Sequence, residues 1–546
     1  MTGQTRYARF LESSPLRHRA FRLFYAGSVG VALGYTMQAN VSAWLMATLT
    51  PSALMVALVQ TASTAPSLLF GLAAGALADI VDRRKIILVT QVLLVVATGS
   101  LGVATLAGII GPIPLLVLTF ITGVGFTFYM PAQQASINDL VSREDIPRAI
   151  GLGAVAFNVS RAVGPALGGA IAALLGTGSA IVASALFFVI MVFSARGWRS
   201  PAPAIPGVPE TVISGIAAGL RYARHSPPLL ALILRNFIFS ICASGLWALL
   251  AVIARDQLKL GAGGFGLLSA CFGAGAVAGA MTMPRLLRRM SLNTLVSAGS
   301  VLWAVAILLI ASTHITAIAL VGATAAGIAW VGVLSGLASG TQSTVPAWVR
   351  ARAVSMTLIA VQASLALGSI LWGTVAAAVG TQIALAASAG LMLLLLALTY
   401  RVRVSFGDES DVTPGVQLPD LVIAVEPKPD DGPVLIQLDY QIDVGNRAAF
   451  LRDILAVEPT RLRNGAVSWR LFRDLQEDGR FIERFIIASW AEYVRLRMRM
   501  TMADREIQDR VTQFQRKNVE VRISRLIGVT ERDIDLATDE KNINPP

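Results

Sequence analysis

Arg161 is the residue of this sequence with the clearest chemical consequence, because it lies deep inside a long apolar segment. A guanidinium near the centre of a bilayer costs from about 3 to over 10 kcal/mol unless it is solvated or paired. Pro165 removes one backbone donor and predicts a bend in the helix. Small residues nearby predict close approach of a second helix: Gly164, Gly168 and Gly169. The stretch 158–169 therefore predicts a charged site beside a tightly packed, bendable helix.

No acidic partner is predicted at the depth of Arg161, which lies about 12 residues or 18 Å into its segment at 1.5 Å per residue. The acids before Arg403 are all predicted in loops or at helix ends: Glu12, Asp79, Asp82, Asp139, Glu144, Asp145, Glu210 and Asp256. The histidines are peripheral as well: His18, His225 and His314. A midplane proton carrier is therefore not predicted, and only rim carboxylates remain as candidates for coupling: Asp79, Asp139 and Asp256.

Two roles for Arg161 remain open. An arginine has five N–H donors and no acceptor, so amides, carbonyls, water or an anionic ligand must serve it. One hypothesis is a substrate with anionic or electron-rich oxygens, bound by Arg161 and Asn158. The alternative is a structural arginine bonded to neighbouring helices.

Arg161 lies in one of twelve apolar segments that we predict to cross the membrane. The chain of 546 residues is 55% hydrophobic and only 14% charged, which is typical of a polytopic membrane protein with a soluble appendix. Each segment is near the length that crosses roughly 30 Å of hydrocarbon. The predicted segments are 21–47, 52–78, 86–106, 113–134, 149–175, 179–193, 229–254, 265–283, 292–311, 315–337, 353–379 and 383–400.

The charge distribution predicts the orientation. Up to Arg403 the chain has about 25 Lys and Arg against eight acids, and beyond it about 20 against 25. The basic residues collect in alternate loops, as the positive-inside rule requires if the N-terminus is cytoplasmic. This predicts a multi-pass protein of the plasma (inner) membrane with both termini cytoplasmic, and it disfavours a nucleic-acid partner. Two cysteines in apolar segments predict no disulfide framework, and we predict no removable signal peptide.

An internal repeat with an offset of about 204 residues relates the two sets of six segments. Gly75 matches Gly279, and Arg148 matches Arg352. The stretch 362–373, which opens on Gln362, is a weaker copy of 158–169. One shift that fits distant places predicts two parallel-related six-helix halves with a substrate site between them.

The hydropathy falls sharply after Arg403. Residues 434–442 alternate as a strand does, 448–457 are helical, 466–475 and 481–488 alternate, 490–514 form a charged amphipathic helix and 519–526 alternate again. This β-α-β-β-α-β order predicts a ferredoxin-like α+β domain in the cytoplasm. The predicted organisation is a cytoplasmic N-terminal segment 1–20, a six-helix bundle 21–195, a linker with an interfacial helix 196–228, a second bundle 229–403, an acidic, proline-containing linker 404–433 and the α+β domain 434–546.

Two motifs resemble those of the major facilitator superfamily. The loop Gly75-Ala-Leu-Ala-Asp79-Ile-Val-Asp-Arg83-Arg84 is similar to the superfamily's signature loop. The stretch 158–169 resembles the antiporter motif of its exporters, in the branch with enterobactin exporters and transmembrane secretion effectors. The resemblance implies an all-α fold of twelve transmembrane helices. It also implies that Asp79, with Arg83 and Arg84, latches neighbouring helices, and Asp139 is a plausible partner.

The resemblance also implies which helices line a substrate cavity. Polar and aromatic residues on those helices are Gln38, Asn40, Gln60, Tyr129, Gln133, Asn158, Arg161, Asn236, Ser244, Trp247, Trp330 and Gln362. Amides and aromatics without acids suit a bulky amphipathic solute better than a small cation. Each of these side chains alone also fits a helix–helix hydrogen bond or a core aromatic.

The C-terminal domain has a weaker resemblance of its own. The stretch Arg463-Asn-Gly-Ala-Val-Ser-Trp469 resembles antibiotic biosynthesis monooxygenase-type domains, which implies Asn464 and Trp469 as site residues of a cofactor-free oxygenase. No metal cluster, phosphate-binding loop or nucleophile–His pair is predicted. The simpler hypothesis is a regulatory or dimerising appendage.

The sequence as a whole predicts a secondary active transporter that exports a siderophore-like or drug-like solute by alternating access, without a cofactor, a metal or catalytic residues. The predicted partners are the solute, the lipid bilayer and a second copy bound through the C-terminal domain. Three alternatives stay open: a membrane-tethered oxygenase, a lysophospholipid or lipid flippase, and a non-transporting sensor or scaffold.

Overall fold

The structure, a computed structural model, describes residues 14–142, 144–196, 212–413, 415, 427–517 and 519–529. Predictions for residues 1–13, for residues 197–211 of the linker 196–228, for most of the acidic linker and for 530–546 lie outside the described residues. The chain divides into two compact units. The membrane unit comprises Met1–Pro209, Ile233–Ala338 and Met356–Arg403. The α+β unit comprises Glu210–Leu232, Ser339–Ser355 and Val404–Pro546.

Long helices follow the predicted apolar segments. They are α1 Arg19–Leu49, α2 Ala53–Ile80, α3 Arg83–Leu106, α4 Pro112–Leu140, α5 Ile146–Leu175 and α6 Thr177–Arg196, then α7 Val212–Arg224, and then α8 Pro227–Val252, α9 Ala262–Arg289, α10 Leu292–Ser312, α11 Thr316–Thr344, α12 Ala347–Val379 and α13 Thr381–Leu398. A π-helical turn, Ile253–Gln257, extends α8. Within the described residues, eleven helices are long and apolar enough to cross a membrane, namely α2–α6 and α8–α13.

Most of these helices are longer than the apolar runs that predicted them. Helix α12 begins at Ala347 rather than 353, and α9 continues to Arg289 rather than 283. Hydropathy marks where lipid begins, whereas a helix continues until its terminal backbone groups find other partners. The Ser52 hydroxyl accepts from the Met55 N–H before α2, and the Asp82 carboxylate accepts from the Arg84 N–H before α3. These caps therefore set the helix starts.

Packing joins the helices of the membrane unit into one assembly. Helix α1 packs against α5 and α6, α3 packs against α4 and α6, and α2 packs against α4. Helix α9 packs along α5, which connects the first six long helices to the later ones. The core of the first set includes Phe21, Leu94, Tyr129 and Phe188.

Gln91 in α3 is an exception to the rule that buried polar groups are paired. Its side chain is 0% exposed, and neither amide atom has a hydrogen-bond partner among the described residues. An unpaired buried amide costs about 1–3 kcal/mol. We therefore expect Gln91→Leu to raise the free energy of unfolding by about that amount, measured as a higher thermal midpoint in detergent. The exposed Gln134 is the control: Gln134→Leu should give no gain, and a destabilised Gln91→Leu would contradict the expectation.

The C-terminal part of the α+β unit is a four-stranded antiparallel sheet with helices. Its elements are the short helix α14 Glu409–Val412, β1 Val434–Gln441, α15 Arg447–Leu455, α16 Val457–Asn464, β2 Ala466–Arg473, β3 Arg480–Ile487, α17 Trp490–Arg499, α18 Met502–Thr512 and β4 Arg522–Ile527. The strand order is β2-β3-β1-β4. Strand β1 pairs in register with β3, Val434 opposite Ile487, and its residues alternate between buried and half-buried. The alternating residues build a core around Tyr440, Phe450 and Trp469.

The prediction of one helix over 490–514 is wrong. The chain forms α17 and α18 with a break between them, because Thr501 begins a new helix. Its hydroxyl accepts from the Asp504 N–H, and the Asp504 carboxylate accepts from the Thr501 N–H at 3.1 Å. This capping box satisfies the free N–H groups of α18 and competes with continuation of α17. The predicted helix 448–457 corresponds to α15, Arg447–Leu455, and a further helix that was not predicted, α16, follows it.

Candidate functional site

Arg161 lies half-buried in α5 and faces two indole rings. Its guanidinium carbon is 5.6 Å from the ring centre of Trp247 in α8 and 5.7 Å from that of Trp330 in α11. No hydrogen bond or ion pair of Arg161 is found among the described residues. The cation is therefore held by π-faces, which attract it electrostatically. The structure brings together three residues that the sequence predicted for the cavity.

A cluster of aromatic rings stands behind this contact. Trp247 packs on Phe272 at 4.5 Å between ring centres and on Trp330 at 5.5 Å. Trp303 lies 5.6 Å from Trp330, and Phe239 lies 5.5 Å from Trp303. The indole N–H groups of Trp247 and Trp303 are buried and have no acceptor within the described part of the chain. The site therefore combines a cation with unused N–H donors.

Sequence reasoning missed three members of this cluster, Phe239, Phe272 and Trp303. The available signal was an aromatic residue in each of three neighbouring apolar segments, and this signal does not distinguish a shared cluster from separate core positions.

Sequence reasoning also gave no role to Arg235, which is buried in α8. Arg235 donates to the Thr399 carbonyl at 3.0 Å and to the Val402 carbonyl at 3.1 Å, just after α13. Arg235 therefore caps the C-terminal end of α13.

Helix α5 approaches its neighbours closely on either side of Arg161. A Cβ added to Gly169 would lie 2.7 Å from the Gly266 Cα of α9. A Cβ added to Gly168 would lie 2.8 Å from the Met37 Cγ of α1. Gly164 meets the hydroxyl of Thr36, which in turn donates to the Ser160 carbonyl at 2.9 Å. Pro165 lies inside the helix, as predicted from the sequence.

The other predicted cavity residues are distributed over several contacts. Gln38 donates to Ser42 at 3.0 Å, and Asn40 donates to Ser269 of α9 at 2.7 Å. Tyr129 and Gln133 both donate to Ser28 at 3.4 Å. Asn236 and Ser244 are buried, whereas Gln60 and Gln362 are half-buried.

Asn158 does not join Arg161 in this conformation. Its amide donates at 2.9 Å to the Ala154 carbonyl of its own helix. This bond uses one of the two N–H groups of the amide, so in this conformation the structure does not show Asn158 and Arg161 acting on one ligand.

The signature loop forms contacts within the first six helices. Arg83 donates to the Asp139 carboxylate at 2.9 Å and so joins α3 to α4. Arg84 donates to the Ala195 carbonyl of α6 at 2.8 Å. A Cβ on Gly75 would meet nothing within 4 Å, and the side chain of Asp79 lies outside the described residues.

A second charged cluster lies just before α5. The Asp145 carboxylate accepts from Arg17 at 2.8 Å and from Ser142 at 3.2 Å, and it lies 3.4 Å from His18. Burial opposes its ionisation, but the bonds from His18 and Ser142 and the charge of Arg17 outweigh this and hold the pKa of Asp145 below its usual value. These contacts attach the chain before α1 to the start of α5.

Asn464 and Trp469, the residues implied by the oxygenase resemblance, are engaged by buried acids. The Asn464 amide donates to Asp504 at 2.9 Å, and the Trp469 indole donates to Glu483 at 3.0 Å. Glu483 also accepts from Tyr440 at 2.9 Å and from Arg461 at 3.0 Å. Both side chains therefore take part in hydrogen-bond networks of the domain interior. Among the described residues no His, Cys, Asp and Glu group could hold a metal ion.

Known proteins with similar sequences are transporters. The multidrug efflux pump Tap of Mycolicibacterium fortuitum is 28% identical over 237 residues, which is 41% of this chain and 56% of Tap. The staphyloferrin A transporter of Staphylococcus aureus is 25% identical over 172 residues, which is 31% of this chain and 43% of that protein. The chain spans about half the length of the curated relatives it matches.

Solved structures of transporters are similar to this chain in fold, and a family model matches most of its length. A bacterial homolog of the human lysosomal transporter Spinster has a TM-score of 0.59 at 15% identity, covering 71% of this chain and 97% of that one. The nucleoside transporter NupG has a TM-score of 0.58 at 13% identity, covering 70% of this chain and 99% of that one. These likenesses show the fold. The model of the transmembrane secretion effector family matches residues 12–534. The chain therefore belongs to the transmembrane secretion effector family, within the major facilitator superfamily.

Proposed function

We propose that this protein exports a small amphipathic or anionic solute by alternating access, as a secondary active transporter of the plasma membrane. The observation that carries the proposal is Arg161, which meets Trp247 and Trp330 across the junction of the earlier and later helices. Relatives that export drugs or transport staphyloferrin A support a drug-like or siderophore-like substrate.

The proposed architecture has twelve spans in two parallel-related halves. Helix α1 would be the twelfth span, because it has 31 residues and packs against α5 and α6. The first half would comprise α1–α6 and the second α8–α13, with α7 between them. The basic loops support a cytoplasmic location for both termini and for the C-terminal domain. The strand order β2-β3-β1-β4 supports a ferredoxin-like class for that domain.

The contacts between the proposed halves support an inward-facing conformation. Gly169 of α5 meets Gly266 of α9, and Gly373 of α12 lies against Ala57 of α2. Arg255, after α8, donates to the Thr50 carbonyl at 3.0 Å. All these residues lie at the helix ends that we predict to be extracellular, so the contacts close that side. The similar Spinster homolog is inward-facing as well.

The chemistry of the site favours an anion. The two indole rings attract the charge of Arg161 but accept none of its N–H groups in conventional hydrogen bonds. A carboxylate or phenolate would accept from these N–H groups in charge-assisted hydrogen bonds, which are about twice as strong as neutral ones. No acid competes with the ligand for Arg161 in the described part of the membrane unit.

Transport into inverted vesicles tests the proposal. Vesicles that contain the protein should accumulate an anionic amphipathic solute, and vesicles without it should not. Siderophores, dyes and lysolipids, each with and without a pH gradient, would identify the solute and the driving ion. Uptake of lysolipid alone would favour the flippase alternative, and no uptake of any class would contradict the proposal.

We further propose that the Arg83–Asp139 pair holds the cytoplasmic ends of the first half together. The pair is partly buried, so its removal should cost more than the loss of a surface ion pair. Asp139→Asn should slow transport by about 3- to 10-fold without loss of folding, because about 1 kcal/mol shifts a two-state equilibrium by that factor. The exposed Glu144 provides the control, and Glu144→Gln should have no effect. Equal rates in both variants would contradict the role of the pair.

The matched family and relatives are transporters, so the protein is not an enzyme. The membrane-tethered oxygenase alternative is not supported by the contacts of Asn464 and Trp469 either, since both are engaged by acids of the domain.

A further inference from the structure

Three segments that are far apart in the chain meet at Glu492 and Arg499 in the α+β unit. Arg221 of the linker helix α7 donates to Glu492 Oε1 at 3.0 Å. Arg499, seven residues after Glu492 on the same helix α17, donates to the same oxygen at 2.6 Å. The guanidinium carbon of Arg499 lies 4.4 Å from the ring centre of Trp348, at the start of α12. We call these four residues, Arg221, Trp348, Glu492 and Arg499, the Glu492 junction.

The charged groups of the junction are largely removed from water. The exposed fraction of the side chain is 6% for Arg499, 14% for Glu492 and 26% for Arg221. Burial opposes ionisation of Glu492, but Arg499, Arg495 and Arg221 outweigh it and keep its pKa below the usual value. Breaking a buried ion pair leaves an uncompensated charge, which costs far more than the loss of a surface pair. The junction is therefore a strong attachment rather than an incidental contact.

Neighbouring residues fix the same arrangement. Tyr222, buried beside Arg221, packs edge-on against Trp348 at 5.6 Å between ring centres. Arg499 donates a further bond to the Asn464 carbonyl at 3.1 Å. A Cβ on Gly465 would lie 3.3 Å from the Glu492 carboxylate and 3.5 Å from the Arg499 guanidinium. The α7 helix also packs against α16.

We propose that the C-terminal domain restrains the transport cycle: through the Glu492 junction it holds the linker helix α7 and the start of α12 together, as a built-in brake. The linker joins the two proposed halves covalently, so it must adapt whenever the halves move. Helix α12 runs unbroken from Ala347 to Val379, so a hold on Trp348 acts on a membrane helix. Contacts that exist in one conformation stabilise that conformation and slow departure from it. The braking role rests on the transport function proposed above, whereas the attachment itself does not.

The test uses the full-length protein in lipid, with Glu492→Gln and Arg221→Gln. The Arg221→Gln variant removes the ion pair between the linker helix and the domain but leaves the Glu492–Arg499 pair intact. The exposed Glu506 of α18 is the matched control, because Glu506→Gln removes the same charge from the same domain. Hydrogen exchange in Val212–Arg224 reports the attachment, and the initial transport rate reports the brake.

Both junction variants should speed amide exchange in Val212–Arg224 by about tenfold, since local opening there loses a buried ion pair. They should also raise the initial transport rate by about 3- to 10-fold, whereas Glu506→Gln should match the wild type on both counts. Unchanged exchange in both variants would overturn the attachment. Faster exchange with an unchanged or lower rate would overturn the brake. If even the wild type moves no solute, the proposed function fails and the exchange data still decide the attachment.

Discussion

Arg161→Gln is expected to reduce transport of an anionic solute by about 30-fold or more, because loss of one partner of a buried charge pair costs about 2–5 kcal/mol. The same variant should be at least as stable to heat as the wild type. Arg161 has no acid to balance its charge among the described residues, so its removal relieves a desolvation cost. Vesicle transport and thermal unfolding of the same preparations measure both effects.

The combination of the two results separates the two roles that the sequence left open. A structural arginine predicts a lower thermal midpoint, whereas a ligand-binding arginine predicts lost transport at an unchanged or higher midpoint. Arg161→Lys is the charge-preserving control and should keep part of the activity, because an ammonium cannot form the two parallel bonds of a guanidinium. Asn158→Ala should have little effect in this conformation, since the Asn158 amide is bonded to Ala154. Normal transport by a stable Arg161→Gln protein would contradict the proposed site.

Gly169→Val is expected to abolish transport and to lower stability by about 1–3 kcal/mol or more, which is the usual cost of overpacking. Even the first carbon of a side chain at this position would lie 2.7 Å from the Gly266 Cα, so α5 and α9 must separate. Separation of these helices would also displace Arg161, two turns away, from the indole rings. Thermal unfolding and vesicle transport measure the two consequences.

Gly153 provides a matched control in the same helix. A Cβ there would meet nothing within 4 Å, so Gly153→Val carries the same change in helix propensity without the clash. The difference between the two variants therefore isolates the close approach of α5 to α9. Equal stability and equal transport in both variants would show that the two helices are not packed as described.

The membrane site and the C-terminal domain act on the same cycle in the proposed mechanism. In that mechanism Arg161 would link the two proposed halves where the solute binds, and the Glu492 junction would hold the linker that connects them. A bound anion would change the contact of Arg161 with the indole rings, whereas the Arg221–Glu492 ion pair does not involve the solute. The effects of Arg161→Gln and Arg221→Gln on stability should therefore add, as they do for distant sites without shared partners.

Local properties of the chain were sufficient for much of the fold. Hydropathy and helix-length arguments located the ends of the long helices to within about seven residues, since lipid requires about 20 apolar residues for each span. Alternation located all four strands of the C-terminal domain, because a half-buried strand has a period of two. The break at Thr501 was not predicted, because a capping box inside an amphipathic stretch competes with helix continuation through only two hydrogen bonds.

The sequence by itself determined that Arg161 is embedded in an apolar segment without a predicted acid at its depth, and that an α+β domain follows the membrane helices. Only the tertiary structure decided which side chains meet: Arg161 with Trp247 and Trp330, and Arg221 with Glu492. The physical reason is that hydropathy and periodicity depend on neighbours in the chain, whereas these contacts join helices that are far apart in it. Side-chain direction and helix crossing, which no local pattern encodes, set the distances between them.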